Sequence, residues 1–209
     1  MRLIEIYPGI IWSACYEGSE EDVFTMLFKQ WIDLEYLTSF INEKKRFLEN
    51  NIFFQGLSVK DVIMNAFSEA RGFRKAFDCY YANERKGLHP DYDDRFYILN
   101  RRSRIDDLKR EMYGPPPYKG ITSVFRLYAV KVPSEKRNEP AAYIVTGGGI
   151  KLADAMPQMK ELNWEYKRLE LVQGWLDHNK ITTKEQLIQY QNKYAKQSND
   201  GVGKTGIED

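Results

Sequence analysis

From Ser19 to Glu49 the apolar positions recur at helical steps: Val23, Leu27, Trp31, Leu34, Leu37, Ile41 and Phe47. A stripe of that period is the core-facing side of an amphipathic helix. Ser19 with Asp22 three residues on resembles a capping arrangement, and Lys44, Lys45 and Arg46 suit a C-terminal end. The segment predicts one long helix. A second is predicted from Ser58, again with an acid (Asp61) three residues on, to Glu84; its stripe is Val62, Ala66, Ala70, Phe73 and Phe77.

Elsewhere the period shortens. "MRLIEIYPGIIWSACYEG" reads as a strand and turn, because Glu5 interrupts the apolar run and Pro8 follows. "RFYILN" reads as a short extended segment, and "RIDDLKREMYG" as a short helix ended by Gly114 before the prolines of "PPPYKG". "TSVFRLYAVKV" and "AAYIVTGG" read as two strands, joined as a hairpin by the polar, proline-bracketed "PSEKRNEP". Beyond them Met159, Leu162, Tyr166, Leu169, Val172 and Leu176 fall along one side of a third helix. "TTKEQLIQYQNKYA" is a last short helix capped by Thr182 or Thr183. Helices, a hairpin two-thirds of the way along, then helices again predict a helix-rich α+β fold, with helices packed on a small antiparallel β-sheet. Residues 1–195 are expected as one domain, and the polar, glycine-rich 196–209 as a flexible tail.

Composition adds bounds. The 209 residues suit one domain, and 43% hydrophobic with 14% aromatic content supplies a real core. No window approaches the ~20 uninterrupted apolar residues of a membrane helix. The start does not read as a cationic leader with a continuous apolar stretch. Cys15 and Cys79 are far apart and lack metal or redox spacing, so both are expected as buried thiols and the chain as cytoplasmic.

The net charge of +1 hides an asymmetry. Residues 1–70 hold 6 basic and 11 acidic side chains, 71–137 hold 16 and 9, and 138–209 hold 9 and 10. The basic surplus centres on "NRRSRIDDLKREMYG", with Arg101, Arg102, Arg104, Lys109 and Arg110. Such a run neutralises phosphates, and Tyr97, Tyr113 and Tyr118 nearby offer stacking surfaces. The interleaved Asp106, Asp107 and Glu111 leave a second reading open, a salt-bridged solvated surface.

The chemistry narrows by spacing. Gly147-Gly148-Gly149 followed by Lys151 has neither the spacing nor the hydroxyl of a phosphate-binding loop. Leu152 stands where the third glycine of a dinucleotide fingerprint belongs. The glycines instead predict a bulge or close backbone approach inside one long strand, with Lys151 opposite in face to Ile150. His89, Asp91, Asp93 and Asp94 share a loop that lacks the Gly and Glu of a calcium site. No metal, cofactor or nucleophile motif is expected. What is left is acid–base chemistry or none. RNA cleavage by its own 2′-hydroxyl needs only a proton acceptor and oriented positive charge.

"SVFRLYAVKVP…YIVTGGGIKLADAM" resembles the C-terminal hairpin of the RelE/HigB-like toxins of bacterial toxin–antitoxin pairs, over residues 121–156. The resemblance implies helices packed on a curved antiparallel sheet and ribosome-dependent mRNA cleavage. The partners it implies are RNA or the ribosome and a cognate antitoxin. It assigns phosphate-stabilising catalytic roles to Arg126, Lys131 and Lys151. Arg101, Arg102, Arg104 and Tyr128 would bind RNA. The chain is about twice the usual length of such toxins and lacks their strong positive charge. The alternative is a non-enzymatic interaction module, in phage defence or mobile-element biology, whose aromatic-rich helices bind a protein.

Overall fold

A computed structural model describes residues 1–49, 51, 54–84, 92, 95–99, 108–114, 123–152 and 160–202, the side chains of 84, 160–163 and 194–202 excepted. The described residues form β1 (Arg2–Tyr7), β2 (Ile11–Cys15), α1 (Val23–Trp31), α2 (Leu34–Glu43), α3 (Lys45–Glu49) and α4 (Val59–Glu84). They continue as β3 (Tyr97–Ile98), β4 (Lys109–Tyr113), β5 (Phe125–Val132), β6 (Ala142–Ile150), α5 (Lys160–His178) and α6 (Lys184–Val202). The fold is α+β. Its sheet has the order β1-β2-β6-β5-β4-β3, antiparallel throughout except that β2 and β6 run parallel. Among the described residues no helix is long and apolar enough to cross a membrane.

The long first helix is three. Asp22, not Ser19, caps α1, accepting from the Thr25 N–H. Asp33 accepts from the N–H groups of Glu35 and Tyr36 and so starts α2 afresh after a break at Ile32. Such a cap satisfies donors that a new helix leaves open. Ser58 and Asp61 cap α4 reciprocally, as the spacing implied. The largest difference is β4. Where a helix was expected, Lys109–Tyr113 is a strand paired along β5, with Arg110 and Met112 turned inward. Cys79 is exposed, and only Cys15 is buried. Helix α6 runs through Val202, into the stretch expected as tail.

The expected hairpin is β5–β6, and its pairing skips a residue: Tyr128 faces Gly147 while Ala129 faces Val145. Thr146 is therefore the extra residue of a bulge, the distortion its glycine neighbours implied. Helices cover both faces of this hairpin, so β6 is buried almost end to end. On one face lie α1 and α4, whose Phe24, Phe28, Trp31, Phe73 and Phe77 form a continuous aromatic cluster. Trp31 carries it onto the sheet, 4.6 Å from the Phe125 ring centre. On the other face lies α5, seated by Leu169, Val172 and Leu176.

Candidate functional site at the glycine edge of β6

Strand β2 pairs with β6 only from Ile11 opposite Tyr143 to Ser13 opposite Val145. The chain then turns away into α1, whose Phe24 N–H donates to Ser13 Oγ at 2.9 Å. Beyond Val145 the flank of β6 facing β2 loses its strand partner, and side chains take over. The Tyr16 hydroxyl donates to the Thr146 carbonyl at 2.7 Å. The Gly148 N–H donates to Glu165 Oε2 at 3.1 Å. An edge that would otherwise bury unpaired polar groups is thus satisfied from the β2–α1 connection and from α5.

The glycines make this possible. A Cβ at Gly147 would overlap the Glu165 carboxylate. One at Gly148 would stand 2.7 Å from the Arg126 carbonyl oxygen and 2.9 Å from Leu27 Cδ1. The first admits a carboxylate to the strand edge, and the second lets α1 lie close on the opposite face.

Between the helices the bare edge floors a cavity of ≈ 190 Å³, walled by Gln30, Trp31, Tyr36, Phe40, Glu165 and Arg168, with Gly148, Gly149 and Ile150 beneath. Whole-ligand pockets run to roughly 300–1,000 Å³, so this one admits a single flat ring or short polar group. Glu165 is buried, while its partner Arg168 is about one-third exposed and donates Nη1–H to Oε1 at 2.8 Å. Burial pushes the Glu165 carboxyl above its usual range, against the opposing pull of Arg168 and the Gly148 N–H. The Arg168 guanidinium also lies over the Tyr16 ring, 5.2 Å from its centre, and burial raises the Tyr16 hydroxyl. A desolvated carboxylate with one charged partner, opening on a cleft, marks a functional candidate.

The residues expected from sequence that the structure describes are not gathered here. Arg126 is buried; its Nη1 donates to the carbonyls of Ser123 (2.9 Å) and Phe125 (2.8 Å), and its guanidinium packs 4.1 Å from the Tyr113 ring centre. Burial lowers its pKa. Tyr128 is buried beside it, opposite Gly147, and offers no open ring for stacking. Lys131 is half-buried; it lies five residues along β5 from Arg126, hence on the other face and roughly 16 Å away. Lys151 is half-buried one residue past β6, its N–H on the Val124 carbonyl at 2.7 Å. Of the catalytic set, Lys151 adjoins the cavity floor by following Ile150 and Arg126 by pairing with Gly149, and neither side chain lines the cavity. Arg101, Arg102 and Arg104, and the loop of His89, Asp91, Asp93 and Asp94, lie outside the described residues. No group of three or more metal-ligating side chains occurs among the described residues.

Glu165 and Arg168 were not singled out by the sequence. The expected α5 stripe put Tyr166 inward, yet Tyr166 is exposed and Glu165 buried. The signal was there: Glu165 stands four residues before Leu169, on the stripe itself. Comparison with protein-family models, curated proteins and solved structures gives no match, so the groove speaks through its own residues.

Proposed function

We propose that the protein acts on RNA as a toxin of the RelE/HigB-like kind, neutralised by an antitoxin, and that its working site is the β6 groove. One observation carries the reading: a desolvated carboxylate, a partly exposed guanidinium and half-buried Tyr36 and Phe40 share one cleft of single-ring size. Aromatic walls receive an unstacked base, and Arg168 neutralises the adjoining phosphate. Lys151 at the end of the floor adds positive charge. Arg126 keeps a structural role, since its Nη1 donates to two backbone carbonyls and its guanidinium packs on the Tyr113 ring.

The test is incubation of the purified protein with single-stranded RNA, with and without ribosomes, in chelator. Wild type is expected to bind and cut. Arg168→Ala is expected to bind at least about tenfold more weakly, the scale of one charge-assisted hydrogen bond. Absence of binding and cutting by wild type under both conditions sinks the reading. The non-enzymatic module would then stand. In its favour, Trp164 and Leu171 are exposed seven residues apart on α5, and Ile32 and Leu34 are exposed where α1 gives way to α2.

A further inference from the structure

We propose that Glu165 is the proton acceptor of this site, taking the proton of a ribose 2′-hydroxyl while Arg168 holds the adjoining phosphate. The inference rests on the RNA reading and names the chemistry within it. As O2′ bonds to phosphorus, its proton passes to the Glu165 carboxylate and the P–O5′ bond breaks. The 5′-oxygen leaves with a proton from solvent, giving a 2′,3′-cyclic phosphate and a 5′-hydroxyl. Glu165 then returns its proton to solvent.

Three features of the site converge on this role. Glu165 is aimed at the strand edge from a rigid helix, and Gly147 is vacant of side chain where its carboxylate lies. Its two oxygens are held differently, Oε2 by the Gly148 N–H and Oε1 by Arg168, which fixes the carboxylate plane against the cavity. The carboxyl lies beside the cation that would carry the phosphate, so acceptor and charge are preset at hydrogen-bonding distance. Burial strengthens it as a base, because a carboxyl pushed above its ordinary range holds a proton more readily. Among the described residues no other carboxylate lines this cavity; Glu69, also buried, faces Ser123 instead.

The experiment compares wild type, Glu165→Gln and Glu165→Asp in cutting and in binding the same RNA, and takes the wild-type rate against pH. Glutamine keeps an acceptor for the Gly148 N–H but cannot take a proton at neutral pH. Glu165→Gln is expected to bind RNA within about threefold of wild type and to cut at least about a hundredfold more slowly, the usual share of a general base. Glu165→Asp is expected to recover part of the rate. The groups facing Glu165 are Arg168 from its own helix, Tyr16 from the β2–α1 connection and Tyr128 from β5. Neither tyrosine titrates below neutrality, so the wild-type rate should fall on acidification along one limb, at a pH above the ordinary carboxylate range. Equal cutting by Glu165→Gln, or a rate flat in pH below neutrality, overturns the inference while leaving the RNA reading in place. Should glutamine fail to fold, the wild-type pH limb alone decides. A wild type that neither binds nor cuts removes both.

Discussion

Among the described residues two glutamates are buried against the central hairpin, one from each side, and they do different work. Glu69 comes from α4 and accepts from Ser123 Oγ at 2.5 Å and from the N–H groups of Val124 and Phe125 at 3.1 and 3.3 Å. Glu165 comes from α5 and holds one strand N–H, that of Gly148, with Arg168 as its charged partner. Each lies where a glycine leaves space, Gly114 just past the end of β4 and Gly147 inside β6: a Cβ at Gly114 would overlap Glu69, as one at Gly147 would overlap Glu165. Each has an arginine nearby, but Arg126 is sunk among carbonyls whereas Arg168 is partly in solvent. The surroundings separate them. Glu69 borders a void of ≈ 10 Å³, about the room of one water, and Glu165 borders ≈ 190 Å³. The same device, a carboxylate in a glycine's place, closes the fold at one end and opens a site at the other.

Truncation should separate the two most sharply. Glu69→Ala strands a hydroxyl and two N–H groups in the core. Unmet buried donors cost about 1–3 kcal/mol each, so a loss on the order of 3 kcal/mol is expected. In a chain of this size that lowers Tm by roughly 6–12 °C. Glu165→Ala strands one N–H, which the groove's water can reach, and releases Arg168 to solvent; a loss of about 1 kcal/mol is expected. Thermal denaturation of both variants measures the gap. A Glu165→Ala loss equal to or larger than that of Glu69→Ala would make both carboxylates structural and break the comparison.

A smaller effect tests what Gly147 is for. Gly147→Ala alone should cost about 1–3 kcal/mol through overpacking. In a Glu165→Ala background the same substitution should cost little, because the overlapping group is gone. The coupling in a double-mutant cycle is expected at about 1–2 kcal/mol. Additive costs would mean that Gly147 serves the bulge at Thr146 and not the glutamate.

Why one half of this arrangement is legible in sequence follows from the same residues. The hairpin shows because β5 and β6 carry long apolar runs bracketed by prolines, and three glycines inside a strand point to a bulge. Close approach shows too, but not what approaches. Glu165 is hidden because a charged residue on an apolar stripe is read outward by default, and Tyr166 next to it is the natural inward choice. The break at Ile32 is hidden because the apolar period of α1 runs on through Leu34 and Leu37; only the Asp33 cap ends it. Strand β4 is hidden because its alternation is carried by Arg110 and Met112, and the Arg110 guanidinium is turned inward onto the Lys109 carbonyl. At Glu165 and Arg110 tertiary burial of a polar group overrides the local pattern, whereas at Asp33 an exposed local cap does.

The smallest effect is one of sign. Burial pushes both carboxyls above the usual range, although Arg168 and Gly148 at Glu165, and Ser123 with two backbone N–H groups at Glu69, pull the other way. The folded protein therefore keeps these protons to a higher pH than the unfolded chain does. Between the ordinary carboxylate pKa, about 4.3 for glutamate, and the raised value, the folded state binds more protons. Stability then falls as pH rises through that window and is regained on acidification. Glu165→Gln removes one contribution, so wild type should gain Tm on this variant as the pH drops from about 7 to about 5; Glu69→Gln should show the same sign. If wild type instead loses ground to Glu165→Gln on acidification, Arg168 and Gly148 outweigh burial. Glu165 would then be an ordinary ion-paired carboxylate held at low pKa, too weak a base for the proton transfer assigned to it, and the two glutamates would part on electrostatics as well as on shape.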